Sequence, residues 1–503
     1  MKRIVALLLS LAAASCQPPP PVAPPPAPVP PAPTQSAPAT PAALEYAPTP
    51  DAPFRQGPPA PGAEAAWQAP VPEEGKLSNG MRVLVITRSK LPIVVVNLTT
   101  RHGADLQPSH GLGSFVGEML DEGTTTRSAL QLSDDFENIG AIHQSWMDWD
   151  AAGLWVQALS QHFDRALELT ADMVQNPRFD PADVDRVRSQ RLATLAQQAD
   201  IPQVILQNTI VRVTYGNHPY GQPLIGTAEA LKKIDQKALR AYWAARFTPS
   251  EMIAVVVGDV TRQDAIAKLE KTFGGWKSKA ATPRPLPPPP KVAPGIVIVD
   301  RPGAAQANIA FAGVGVPRTS PDFDPLMVAN TILGGMFSSR LNLNLRERHG
   351  WTYGARSGFD MRHGPGPFTA SAAVDSPNAV PAIKEMIDEL DRFAKAPVTD
   401  DELTLAKGTL IKSLPGRFES DSSAATSIAW LGVYGLALDE YRTRPERFQK
   451  VTAADVQAMA RKHFDRSKMR IVVVGDRKAL EPELKKLGIG AVTVVDAESK
   501  PVK

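Results

Sequence analysis

The stretch Phe247-Thr-Pro-Ser-Glu-Met-Ile-Ala-Val-Val-Val-Gly-Asp259 occurs twice in this chain of 503 residues. Its second copy is Phe464-Asp-Arg-Ser-Lys-Met-Arg-Ile-Val-Val-Val-Gly-Asp476, which lies 217 residues further on without a gap and is identical at eight of thirteen positions. Each copy contains a short apolar run typical of a buried strand, and a predicted helix precedes it. We therefore expect two homologous domains of about two hundred residues each, which is enough for separate cores.

Predicted strands and helices lie in separate blocks within each half, which indicates the α+β class. We expect two α/β sandwich-like domains in tandem, at residues 73–280 and 295–497, each a largely antiparallel sheet packed with helices. Residues 281–294 contain seven prolines in fourteen positions. That composition is typical of an interdomain linker.

The overall composition places few limits on the partners of this protein. A net charge of +3 and a hydrophobic share of 43% are ordinary for a globular chain of this length. They give no argument for a nucleic-acid partner, and we expect none. No apolar run reaches eighteen residues, so the sequence predicts no transmembrane helix.

Residues 1–16 resemble a bacterial lipoprotein signal peptide. Lys2 and Arg3 precede an apolar stretch too short to span a bilayer, and Cys16, the one cysteine of the chain, ends it. Cleavage would leave Cys16 as a lipid-anchored N-terminus. The alternative is an ordinary signal peptide, cleaved after a small residue, in which Cys16 has no role. That the single cysteine of the chain lies at this position favours lipidation. Residues 17–72 hold 21 of the 49 prolines, and we expect them to form a disordered tether.

The stretch from Gly111 to Thr124 is predicted to form a helix with one buried face. Ser114, Gly117 and Glu118 fall on the opposite face of that helix. The apolar residues follow the i, i+3, i+4, i+7, i+8 pattern of an amphipathic helix, namely Leu112, Phe115, Val116, Met119 and Leu120.

This stretch resembles the active-site helix of the insulinase/pitrilysin family of zinc peptidases, which carries an inverted zinc motif, H-x-x-E-H. The resemblance implies zinc ligands at positions 114 and 118 and a general base at position 117. Here Ser114 is a poor neutral ligand, Gly117 has no side chain, and Glu118 alone does not hold zinc. The family's third protein ligand is a Glu some seventy residues further on, yet residues 169–228 contain no Glu.

The sequence therefore predicts no intrinsic catalytic residue, no metal site and no cofactor in this chain. Zinc is expected only in a partner subunit. No two of the eight histidines are three to five residues apart, so no helix presents a pair of them to a metal. His102 and His110 lie nearest to the degenerate helix, and we expect both to be solvated or capping side chains.

The stretch from Gly334 to Gly354 resembles a second motif of the same family, G-G-x-x-S-S-R-L-x-x-x-L-R-E-x-x-G-L-x-Y. In the family its Arg and Tyr contact the substrate peptide, which implies that Arg346 and Tyr353 bind substrate here. A guanidinium can donate to peptide carbonyls, and a phenol can donate to a developing oxyanion. Without the motif, Arg346 would be interpreted as a solvated charge on a helix and Tyr353 as an aromatic side chain packed in a strand. Arg340 is expected to be structural.

The resemblance implies a pseudo-peptidase, a non-catalytic and substrate-contacting subunit of a heterodimeric envelope zinc peptidase. Its partners would be an H-x-x-E-H subunit of the same family, a peptide substrate and, through the N-terminal lipid, a membrane. The alternative is a stand-alone peptide-binding or scaffolding lipoprotein, and a third possibility is a peptidase with an unrecognised site. Gln17, which follows Cys16, favours the outer membrane and its periplasmic side by analogy with lipoprotein sorting.

Overall fold

The structure is a computed structural model that describes residues 67–278 and 285–502 and, before them, Gly57 and Gly62. The predicted signal peptide with Cys16 lies outside the described residues. So do most of the predicted tether and the first part of the predicted linker. No helix in the described part of the chain is both long enough and apolar enough to cross a membrane.

The described residues from Trp67 to Val502 belong to one compact unit and contain two six-stranded sheets. The first half of the unit supplies the first sheet, in the strand order β1-β2-β6-β3-β5-β4. In chain order its elements are β1 (Glu73–Lys76), β2 (Arg82–Thr87), β3 (Ile93–Thr100), α1 (Leu112–Met119), α2 (Ala129–Glu137), β4 (Ile142–Met147), β5 (Ala152–Leu159), α3 (Phe163–Gln175), α4 (Pro181–Gln198), α5 (Pro202–Tyr215), α6 (Ala228–Lys233), α7 (Gln236–Arg246), β6 (Met252–Gly258) and α8 (Arg262–Phe273).

The second half supplies the other sheet, in the order β12-β7-β11-β8-β10-β9. Two π-helical turns, at Thr331–Gly335 and Leu343–Arg348, flank its short helix α10. In chain order its elements are β7 (Gly295–Asp300), β8 (Gln306–Val314), α9 (Phe323–Asn330), α10 (Arg340–Asn342), β9 (Ala355–Phe359), β10 (Pro367–Asp375), α11 (Ala379–Lys395), α12 (Asp400–Lys412), α13 (Asp421–Tyr434), α14 (Glu440–Lys450), α15 (Ala453–His463), β11 (Met469–Gly475), α16 (Arg477–Lys485) and β12 (Val492–Val495).

The sequence repeat corresponds to equivalent strands of the two sheets. β6 pairs parallel with β2 and antiparallel with β3, and β11 pairs parallel with β7 and antiparallel with β8. Most of the other pairs are antiparallel, with β12 and β7 the exception. The predicted fold class, two tandem domains with largely antiparallel sheets packed with helices, is confirmed.

The apolar run in each copy of the repeat is long because both faces of its strand are covered. In β6, Met252, Ala254 and Val256 belong to the core of the first half. The alternate residues Ile253 and Val255 face a second apolar cluster on the other side of the sheet. Alternation of side chains across a strand makes these two faces distinct.

The two halves exchange helices across these outer sheet faces. Helix α13 of the second half covers the outer face of the first sheet, where Ile428 packs in the same cluster as Ile253. Helix α5 of the first half covers the second sheet, where Ile205 packs with Val472. Gly432 permits the close approach of α13, since a Cβ there would lie 2.5 Å from Ile253 Cδ1. Each half therefore completes the core of the other.

A buried carboxylate also joins the two halves. Asp150, in the turn between β4 and β5, accepts hydrogen bonds from the backbone N–H of His363 at 2.7 Å and from the Tyr434 hydroxyl at 3.0 Å. The Tyr220 hydroxyl donates to the same carboxylate at 3.3 Å. Burial raises the pKa of Asp150, and the charge of His363 opposes the shift.

Candidate functional site

Helix α1 presents the degenerate motif to an open cleft. Its apolar face is buried against α7, α4 and β4. The preceding Gly111 adopts a left-handed conformation, with φ of 84°, which glycine adopts without steric strain. Ser114 and Glu118 are not on the buried face of α1, and both line the cleft.

The cleft has a volume of about 600 Å³ and lies between α1, α5 and the edge of the first sheet. Its walls include Trp146 and Met147 of the edge strand β4, Asn208 of α5 and the loop that contains Leu224. Such a volume is typical of sites that bind small molecules or short peptide segments. The motif thus lies on the wall of a cleft that can accept a ligand.

Each motif residue has a definite structural role. The Ser114 hydroxyl donates to the Leu224 carbonyl at 2.7 Å. Gly117 is buried against β4, where a Cβ would lie 2.9 Å from the Cβ of Met147. Glu118 forms an ion pair with Arg191 at 2.6 Å. A longer side chain at position 117 would therefore need β4 to move.

Arg191 of α4 is the residue of this candidate site that sequence reasoning missed. Its side chain is only 2% exposed. One end of its guanidinium donates to Glu118 at 2.6 Å, and the other donates to the Ser114 hydroxyl at 2.7 Å and the Ile225 carbonyl at 2.8 Å. Burial lowers the pKa of Arg191, whereas the charge of Glu118 opposes the shift. A fixed cation thus bridges both positions where the family motif has zinc ligands.

A pattern in the sequence could have indicated that Arg191 is buried. The buried residues of α4 are Val184, Val187 and Arg191, which follow the i, i+3, i+7 spacing of a helix face that packs inward. A charge on such a face needs an ion-pair or hydrogen-bond partner. Glu118, at the degenerate motif, pairs with this charge from the wall of the cleft, where its own side chain is 51% exposed.

These residues do not fit a zinc ion. A neutral hydroxyl, a missing side chain and one carboxylate already paired with arginine do not make a tetrahedral donor set. The Arg191 cation would also repel the metal at short range. The described residues contain no group of three or more histidine, cysteine, aspartate or glutamate side chains placed to hold a metal.

The two nearby histidines do not supply the missing ligands. His102 Nε2 lies 3.3 Å from Glu251 Oε2, and burial followed by the charge of Arg246 lowers the pKa of His102. Burial followed by the charge of Arg212 lowers the pKa of His110. Neither histidine is among the residues that line the cleft.

The structure places the Arg346 and Tyr353 side chains apart from this cleft, since neither lines it. Arg346 lies in the second π-helical turn, where its guanidinium carbon stacks 4.5 Å from the centre of the Phe337 ring and its Nε lies 3.6 Å from Glu347. Tyr353 is 94% exposed. Arg340, by contrast, forms a two-point ion pair with Glu402 at the start of α12, at 2.6 and 2.8 Å.

The purified chain is expected to hold no stoichiometric zinc and to cleave no peptide. The physical reason is the guanidinium of Arg191 between Ser114 and Glu118, which leaves no donor set for the metal. Elemental analysis after dialysis and a peptide-hydrolysis assay would measure both properties. One tightly held zinc per chain, together with proteolysis that a chelator abolishes, would contradict this prediction.

Comparisons with known proteins agree with the fold. A model of the insulinase peptidase family, M16, matches residues 82–228, and a model of the peptidase M16 inactive domain matches residues 233–410. An uncharacterized zinc protease of Bacillus subtilis (strain 168) is 25% identical over 392 residues, which cover 77% of this chain and 94% of that protein. An uncharacterized zinc protease of Mycobacterium leprae (strain TN) is 28% identical over 361 residues, or 70% of this chain and 79% of the relative.

Solved structures give the same result. The peptidase M16 inactive domain from Pseudomonas fluorescens superposes with a TM-score of 0.76 at 26% identity, over 80% of this chain and 98% of that one. A protease from Helicobacter pylori shares the fold with a TM-score of 0.76 at 20% identity, over 81% and 100% of the two chains. The predicted resemblance is thus confirmed, and both halves of this chain belong to the M16 (insulinase) family of peptidases.

Proposed function

We propose that this chain is a non-catalytic subunit of a heterodimeric zinc peptidase and contacts the substrate of a zinc-bearing partner. The observation that carries the proposal is the contrast between its two motifs. Arg191 is built into the degenerate motif of the first half, so that site has no place for a metal. The second-half motif leaves Tyr353 94% exposed, where the phenol is accessible to another chain and its substrate.

The surface around Arg346 supports a role in trans. Its guanidinium stacks on the Phe337 ring, and Phe337 is itself 64% exposed. Stacking restricts the rotamers of the arginine side chain while its N–H groups stay available to a carbonyl. A pre-oriented guanidinium and an exposed phenol are the groups that hold a peptide carbonyl and stabilise an oxyanion.

The cleft beside α1 supports the second candidate, a stand-alone peptide binder. It lies against β4, the edge strand of the first sheet, and is lined by both polar and aromatic side chains. An edge strand has unpaired backbone groups that can bind an extended peptide. This candidate needs no partner enzyme.

A native pull-down from membranes distinguishes the two candidates. We expect a family member with an intact H-x-x-E-H motif to co-purify, and the reconstituted pair to hydrolyse peptides that neither chain hydrolyses alone. Recovery of peptides without any such peptidase would favour the stand-alone binder. The same material allows the Arg346 and Tyr353 variants to be tested.

We further propose that the protein is anchored in the bacterial envelope through a lipid on Cys16, on the periplasmic side of the outer membrane. Ala69, predicted to lie in the tether, is instead 1% exposed and belongs to the apolar cluster on the outer face of the first sheet. The remaining part of the predicted tether, residues 17–66, could extend to about 150 Å at ~3.1 Å per residue in a polyproline II conformation. That reach would let the folded unit meet a partner well away from the lipid surface.

Replacement of the cysteine tests the anchor. Cys16→Ser removes the thiol that would carry the lipid, so the variant should lose labelling by a fatty-acid probe and leave the membrane fraction or remain unprocessed. The parent protein is the matched control, measured in the same cells by fractionation and by gel mobility. An unlabelled parent protein whose fractionation the substitution does not change would rule out the lipoprotein.

A further inference from the structure

A second cavity lies in the other half of the molecule, away from the degenerate motif. It has a volume of about 280 Å³ and is enclosed by α9, α12, α13, α14 and the end of β9. Twelve of its sixteen lining residues are apolar or aromatic, among them Phe323, Met327, Trp430, Leu431 and Phe448. Neither Arg346 nor Tyr353 lines it.

The charged side chains in this wall all have the same sign. Among the described residues that line the cavity there are three arginines, Arg318, Arg417 and Arg444, and no carboxylate. The guanidinium carbons of Arg318 and Arg444 lie 3.8 and 5.2 Å from the centre of the Phe323 ring. A buried cation, Arg444, and a partly buried one, Arg318, thus share one aromatic ring at one side of the cavity.

The carboxylate of Glu440, behind the cavity wall, contacts three arginines and cannot neutralise all of their charges. Glu440 accepts hydrogen bonds from Arg318 at 3.2 Å and from Arg444 at 2.7 Å, and it forms an ion pair with Arg447 at 2.9 Å. Arg447 is also paired with Asp324 at 2.7 Å. Three guanidinium groups therefore meet two carboxylates in this cluster, and Arg417 adds a further positive charge.

One donor in the cluster lacks an acceptor. Arg444 is 6% exposed, and its buried Nε has no hydrogen-bond partner within the described residues. Burial, followed by the charge of Arg444, lowers the pKa of Arg318. Burial would raise the pKa of Glu440, but the hydrogen bond from Arg444 and the charges of the arginines hold it below its ordinary value. The pKa of Glu440 thus reflects the arginines around it, whereas the pKa of Arg318 reflects mainly its burial.

We propose that this cavity binds a small monocarboxylate with an aromatic or aliphatic body. The carboxylate would accept from Arg318 and Arg444, since guanidinium groups match a carboxylate in shape and charge. The body of the ligand would fill the space between Met327 and Trp430. An inorganic anion would leave those apolar walls unfilled, and a neutral ligand would leave the charge uncompensated.

The probe for this proposal is 3-phenylpropionate, measured by calorimetric titration of the purified full-length chain. We expect one saturable site with a dissociation constant on the order of 10 µM to 1 mM, a range set by the small number of ligand atoms. The uncharged 3-phenylpropionamide and inorganic phosphate should each bind at least about tenfold more weakly, since a charge-assisted hydrogen bond contributes about that factor or more.

Variants locate the site. Arg318→Gln should weaken 3-phenylpropionate binding by about ten- to a hundredfold, and Arg318→Lys should restore part of it. Met327→Trp keeps every charge and fills the cavity, so it should abolish binding. Arg392→Gln is the matched control, because Arg392 is 53% exposed, pairs with Glu389 and does not line the cavity. It should bind the probe as the parent does.

Several results would overturn the proposal. They are the absence of saturable binding, equal binding of the amide or of phosphate, and unchanged binding in both Arg318→Gln and Met327→Trp. Circular dichroism checks that each variant is folded. If Arg318→Gln does not fold, Arg417→Gln takes its place. Arg417 is exposed at the rim of the cavity, so its substitution should leave the fold intact and weaken binding.

Discussion

Histidines placed at positions 114 and 118 are expected to create no zinc site while Arg191 is present. Ser114→His and Glu118→His together restore the two ligands that one turn of α1 can direct to a metal. They also remove the carboxylate that neutralises Arg191. A divalent ion at ~4 Å from a guanidinium is repelled by several kcal/mol at an effective dielectric constant of about 20. The double variant should therefore bind zinc no more tightly than the parent.

Addition of Arg191→Glu to this pair should raise the zinc affinity by at least about a thousandfold. The third substitution removes the cation and supplies a third protein ligand from α4, and about 4 kcal/mol corresponds to that factor. Gly117 stays unchanged in both variants, so no side chain is forced against Met147. The measurement is a zinc titration against a chelator of known affinity. Tight binding by the double variant alone would show that Arg191 does not occupy the place of the metal.

The strands could be predicted from the sequence because the repeat has a physical cause. Strands β6 and β11 are apolar at nearly every position because both faces of each strand are covered. The two halves have this arrangement in common, so the apolar run occurs in both. The sequence did not reveal which helices cover them. A largely apolar helix such as α13 is predictably buried, but its composition does not specify the sheet on which it packs. The exchange of α5 and α13 between halves depends on contacts between residues far apart in the chain.

The degenerate motif was predictable for a related reason. Loss of side-chain chemistry at Ser114, Gly117 and Glu118 can be read one residue at a time. The contact of Arg191 with this motif could not be predicted residue by residue, because Arg191 lies 73 residues from Glu118. Only the folded chain shows that α4 brings its guanidinium to both positions. Likewise, the stacking of Arg346 on Phe337 depends on a π-helical turn that no periodicity in the sequence predicts.

Tyr353→Phe is expected to lower the turnover of the reconstituted pair by about a hundredfold. If Tyr353 donates to the oxyanion in the partner's active site, its loss removes about 3 kcal/mol of transition-state stabilisation. The substitution deletes one hydroxyl and keeps the ring. Because Tyr353 is 94% exposed, the free energy of unfolding of the chain should not change. Assembly, followed by gel filtration, should also be unaffected.

Arg346→Ala should produce a loss of similar size, because the guanidinium would no longer hold a substrate carbonyl. It also removes the stacking on Phe337, so Arg346→Lys, which keeps the charge but not the planar fork, separates charge from geometry. The matched control is Arg348→Ala, which replaces an exposed arginine of the same turn and should leave turnover unchanged.

Full activity in both Tyr353→Phe and Arg346→Ala would show that this motif serves the fold alone. An equal loss in Arg348→Ala would mean that the net positive charge of the surface, and not a defined contact, attracts the substrate. Only selective losses at positions 346 and 353 fit a pair of side chains that reach the reacting peptide from a second chain.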